Sequence, residues 1–188
     1  ADRLTYSLTG SHAASAALLA KGMSALSTGQ AAEFVSSAYP NWAHYSRIVS
    51  GKTGQLISIP VEGIYLLASL HEDYHSLKNV FGNLGLAYQI TNDIKNLMGT
   101  DGAARQGGDV LRQSPNAVVI LFRDSLVNGS RQEFDEKFMQ GMVCEHTDEK
   151  WMQELVINGG ELAADKISSL LAEVEKDFDD HEYDIKPV

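Results

Sequence analysis

The chain of 188 residues contains one cysteine, Cys144, and four prolines. A single thiol excludes an internal disulfide framework and a cysteine-rich zinc site, and fits a reducing, cytoplasmic compartment. With 44% hydrophobic and 21% charged residues, so little proline excludes a disordered or collagen-like chain. Period-two alternation of β-branched residues is nearly missing. The segment Leu56 to Val61 resembles a short strand, but Pro60 argues against a central one and reads as a helix kink or break. No apolar run nears the roughly 20 residues that span a bilayer; the longest, Ala117 to Phe122, reads as core. Positive charge is scarce too, with 15 Lys and Arg against 25 Asp and Glu and a formal net charge of −10. That balance argues against a nucleic-acid backbone or an anionic membrane as main partner. Anionic small molecules remain open to it, because a few basic groups or bridging cations reverse the field inside a cleft.

What the chain does have is helical periodicity. Leu77, Val80, Phe81, Leu84, Ala87, Tyr88, Ile94, Leu97 and Met98 follow i, i+3, i+4 spacing, as do Ala163, Ile167, Leu170, Leu171, Val174 and Phe178. Ser11 to Leu26 is rich in Ala and Leu, strong helix formers. Breaks are expected at Tyr39-Pro40-Asn41, in the glycine-rich stretch Gly99 to Gly108, at Ser114-Pro115, at Val127 to Ser130 and at Asn158-Gly159-Gly160. Six or so helices in one all-α bundle over residues 1–188 follow, with a frayed acidic tail over 177–188.

Most of the singled-out residues read as core. Trp42, Tyr45, Trp151 and Met152 pack between helices, and Cys144 is a small buried hydrophobe. The Gly102 to Gly108 stretch lacks the Gly-Lys-Ser/Thr ending of a phosphate-binding loop. His71-Glu72-Asp73-Tyr74-His75 matches H-E-x-x-H, whose i, i+4 histidines can hold zinc while the Glu acts as base. Asp73 puts a charge inside that motif, and no Glu between Leu77 and Gln132 supplies a further ligand. A solvated turn is therefore the better reading, with a zinc hydrolase as the remote alternative.

The most specific region is FGNLGLAYQITND, Phe81 to Asp93. Gly82 and Gly85 allow another backbone to approach. Tyr88, Gln89, Asn92, Asp93 and Asn96 place polar groups one helical turn apart. Such a strip on an apolar helix costs free energy unless something satisfies it. A hydrated diphosphate–magnesium cluster or a hydrogen-bond network between helices would each do so.

This segment, read on to Asn96, resembles the helix of trans-isoprenyl diphosphate synthases that carries the second aspartate-rich motif, F-G-x-x-L-G-x-A-[FY]-Q-I-x-D-D-x-x-D. Gly29-Gln30-Ala31-Ala32-Glu33 resembles that family's G-Q-x-x-D helix, and Tyr45 to Gly54 resembles its Y-x-x-I-x-x-x-K-T-G segment. Gly108-Asp109-Val110 with Pro115, and Gly159-Gly160 with Ala163, follow in the family's order. The resemblance implies an all-α isoprenoid-synthase bundle and prenyl transfer from an allylic diphosphate, with isopentenyl diphosphate as the expected acceptor. It implies that Lys52 contacts the allylic diphosphate and that Thr53, Gln89 and Asn92 support that region. Gln30 would line the wall. Asp93, with Asn92 and Asn96, would hold Mg2+. It also implies a dimer, with itself or with a related synthase.

Two departures accompany it. Three aspartates of the second motif are represented by Asn92, Asp93 and Asn96, and amides offer oxygen to magnesium without offsetting its charge. The family's lysine after the loop has no clear match; Ser114 falls near it and Arg112 is a possible substitute. No D-D-x-x-D occurs, so the first motif and its helices are expected upstream of Ala1 or on another chain, the remaining option being a short protein that never had them. A non-catalytic subunit that tunes a complete synthase is the alternative.

Overall fold

The computed structural model describes residues 2–36, 40–67, 75–102, 106–112, 114–143 and 149–180. Among these there is no strand. Helix α1 spans Asp2–Val35, α2 Trp42–Val49, α3 Gln55–Leu67, α4 His75–Met98, α5 Gly108–Leu111, α6 Ala117–Ser125, α7 Asn128–Val143, α8 Glu149–Glu154 and α9 Gly160–Asp180. Single π turns, Ser50–Gly54 and Leu155–Gly159, join α2 to α3 and α8 to α9 without a break.

Local chemistry explains most boundaries. Asn41, in extended conformation after the buried Pro40, accepts the His44 N–H and starts α2. Asn116 does the same for α6, its Oδ1 accepting from Val118 and Val119 N–H. The expected start at Ser114-Pro115 therefore falls two residues later, where a side chain can cap.

Three expectations are corrected. Pro60 neither breaks nor ends a helix: it lies inside α3, on an exposed position. The carbonyl its missing N–H frees belongs to Leu56, itself 62% exposed, where water can take it. Val127 to Ser130 is not a turn, because α7 already begins at Asn128 and Arg131 N–H bonds the Val127 carbonyl. Asn158-Gly159-Gly160 does not interrupt the chain either. There the π turn absorbs the glycines, and a Cβ on Gly159 would lie 2.7 Å from Val118 Cγ1. The acidic segment is helical through Asp180; its remainder, like Cys144 and His71 to Tyr74, lies outside the described residues.

The core is built around α4 and α6. Val80, Leu86, Ala87, Ile90 and Leu97 of α4 meet Ala117 to Ile120 of α6, with Phe122, Phe134, Phe138, Leu155, Ala163 and Leu170 around them. Helix α6 is buried on nearly all sides, as its apolar run requires. The apolar stripe of α4 is turned relative to the simple pattern: Leu86 and Ile90 are buried, while Tyr88 and Met98 are 58% and 52% exposed.

Candidate active site

The site grows from a close backbone approach. The π turn Ser50–Gly54 lies between α1 and α4. A Cβ on Gly29 of α1 would sit 2.9 Å from the Gly51 carbonyl carbon and from Lys52 N. A Cβ on Gly85 of α4 would sit 2.9 Å from Gly54 N and Cα. Contact this tight, available only to glycine, clamps the turn from both sides. A π turn adds one residue to the helix and re-aims the side chains it carries, here Lys52 and Thr53.

Lys52 Nζ lies 2.8 Å from Glu33 Oε2 of α1, and the same oxygen accepts Gln30 Nε2 at 2.6 Å. Lys52 remains 31% exposed. Buried Thr53 donates its hydroxyl to Gln89 Oε1 of α4 at 3.2 Å. The far end of that amide, Gln89 Nε2, donates to Asp93 Oδ1 at 2.9 Å. Glu33, Phe34, Lys52, Gln89, Asp93, Asp109, Arg112, Ser114 and Pro115 line a polar cavity of about 240 Å³. Five of the predicted residues thus fall into two clusters, Gln30 and Lys52 sharing Glu33 and Thr53, Gln89 and Asp93 bonded in series, which meet where Lys52 and Thr53 are adjacent in the turn. Half-buried Asn92 is not among the cavity's lining residues, and neither are Thr53 and Gln30, which was expected on its wall.

Asp93 is 2% exposed. Its Oδ2 accepts the Tyr45 hydroxyl and the Ala117 N–H, each at 2.7 Å. Burial raises its pKa to about 6, against the opposing pull of the Ala117, Tyr45 and Gln89 donors. Burial together with the Asp93 charge also pushes the Tyr45 phenol well above its ordinary value. Asn96, buried, is committed at both ends. Its Nδ2 donates to Asp101 at 2.8 Å and its Oδ1 accepts the Asp109 N–H at 3.1 Å. It ties the loop after α4 to α5.

Magnesium asks for several oxygen ligands, usually including charged carboxylates. The described residues contain no group of three His, Cys, Asp or Glu side chains placed to hold a metal. Glu33 is paired with Lys52, Asp109 with Arg112 at 2.6 Å, and Asp93 is enclosed by protein donors. These residues alone do not fit a magnesium cluster.

Several members of the site were not singled out as functional in the sequence. Tyr45 read as core, although its place in the Y-x-x-I pattern marked it. Glu33 stood in the quoted G-Q-x-x-E segment, and its reach to Lys52 crosses 19 positions. The Ala117 N–H carries no side-chain signal at all. His75 of the H-E-x-x-H motif is the first residue of α4; the side chains of both its histidines lie outside the described residues.

The described residues form a helical fold with a polar, lysine-bearing cavity, as in the helical isoprenoid-synthase class. Residues 3–156 match the family model described as polyprenyl synthetase, and the chain belongs to that family. No curated protein matched the chain in a sequence search. Family membership carries prenyl transfer, diphosphate substrates and a general magnesium dependence as the coarse functional frame. Among the described residues, no helix is long and apolar enough to cross a membrane.

Proposed function

We propose that this chain binds an allylic prenyl diphosphate with Lys52, Thr53, Gln89 and Gln30, next to Asn92, and takes part in elongating it with isopentenyl diphosphate. The observation that supports this most directly is the joining of a cation-bearing polar cavity to an apolar helix face. Leu19, Met23 and Phe34 fall with Gln30 on one face of α1 by helical spacing, are 56%, 56% and 81% exposed, and Phe34 borders the cavity. A prenyl diphosphate has this polarity, a charged head on an apolar tail.

In the proposed reaction the allylic C–O bond breaks and its electron pair leaves with the diphosphate. The π electrons of isopentenyl diphosphate then form the new C–C bond, and a proton is lost to restore a double bond. The leaving group needs fixed positive charge, which Lys52 supplies from a rigid turn. Lys52 exchanges its Glu33 partner for diphosphate oxygens while staying within reach of both. A dimer, with itself or with a related synthase, belongs to the same proposal.

The test is a product assay on the full-length protein with isopentenyl diphosphate, allylic diphosphates and magnesium. A longer prenyl diphosphate is expected. Lys52→Ala should lower kcat/KM roughly 100-fold or more, and far more than Arg112→Ala, since the Arg112 side chain is 69% exposed at the rim against 31% for Lys52. Equal losses would remove Lys52 from the centre of the site. The shortage of metal-binding carboxylates favours a second reading, a non-catalytic subunit. No turnover, with stimulation of a complete synthase on mixing, would decide for it.

A further inference from the structure

We propose that Asp93 is a positioning residue that sets the geometry of the polar cavity and does not ligate magnesium. What the cavity receives rests on the prenyl-diphosphate reading; the role of Asp93 rests on its own contacts.

Those contacts take three of the roughly four acceptor sites of the carboxylate. Oδ2 accepts both the Tyr45 hydroxyl of α2 and the Ala117 N–H at the start of α6, and Oδ1 accepts Gln89 of its own helix. The Asp93 carbonyl takes the Asn116 side chain at 3.3 Å. A metal ion on Oδ2 would displace a buried phenol and a buried backbone amide, and each stranded donor carries a desolvation cost. The other oxygen faces Gln89, and this is where the positioning arises. By accepting Gln89 Nε2, Asp93 holds that amide in place beside Thr53. Gln89 presents Oε1 to Thr53, the residue after Lys52. One carboxylate thus joins α2, α4, the π turn and α6. The two flanking motif positions carry amides, and the one acid retained is the one the framework uses.

The experiment titrates Mn2+, as a spectroscopic substitute for magnesium, into wild type, Asp93→Asn and Asp93→Ala, with and without inorganic diphosphate. Folding of each is checked by circular dichroism. Asparagine can keep the Tyr45 and Ala117 bonds and hold Gln89 with its amide reversed. Asp93→Asn should therefore leave Mn2+ half-saturation within about twofold of wild type, whereas losing a true ligand or its support costs about tenfold or more. A folded Asp93→Asn with tenfold weaker metal binding overturns the proposal. Asp93→Ala should weaken diphosphate binding about tenfold, and Asn should restore most of it. Unchanged diphosphate affinity in Asp93→Ala overturns the positioning role. If wild type binds no diphosphate, the functional reading fails by itself. The melting temperatures of Asp93→Ala, Thr53→Val and the double variant then decide, with non-additive shifts expected and additive ones overturning the link through Gln89.

Discussion

At the scale of single residues, three polar side chains of α4 that read as one motif have separate tasks. Gln89 faces the cavity, Asp93 bonds inward to α2 and α6, and Asn96 holds the loop after its own helix. Asn96 gives a prediction that runs against the resemblance. Restoring an aspartate, Asn96→Asp, would set a carboxylate beside Asp101, where an amide now donates at 2.8 Å. We expect it to destabilise the protein by about 2–3 kcal/mol, measured by urea denaturation. A variant as stable as wild type would mean that the Asp101 contact contributes little.

Elements set the position of these residues. The π turn stays between α1 and α4 because Gly29 and Gly85 have no side chain to hold it off. Gly85→Ala should force the turn away from α4, costing about 1–3 kcal/mol together with most diphosphate affinity. Gly82→Ala, one turn earlier, is the control: its Cβ would meet nothing within 4 Å. In a helix interior alanine is favoured over glycine by up to about 1 kcal/mol, so its melting temperature should hold or rise. Both glycines were legible as points of close approach. Which of them actually meets a backbone was not, because that depends on where the π turn crosses α4.

For the whole molecule, the buried acid makes stability depend on pH. Asp93 binds its proton more tightly when folded, at about 6 against the ordinary 3.8. Its contribution is present below about pH 4 and is lost as pH rises through about 6. The loss is of order 3 kcal/mol. Wild-type stability measured relative to Asp93→Asn should therefore fall between pH 4 and pH 7. A difference that stays flat would show the carboxyl to be better solvated than its burial implies.

The sequence by itself determined the helical class and the order of the motifs, and it singled out Lys52, Gln89 and Asp93 among the residues that line the cavity. Apolar spacing, low proline content and capping side chains such as Asn41 and Asn116 act over a few positions, and a linear reading captures them. It placed Pro60 at a break, because whether water reaches the freed carbonyl depends on neighbours far along the chain. The tertiary structure alone decided that Tyr45, 48 positions before Asp93, and the Ala117 N–H, 24 positions after it, close around that carboxylate. An aspartate that binds metal and one that is enclosed by donors are identical in sequence. They differ only in which groups the fold brings within about 3 Å, and here those groups are the protein's own.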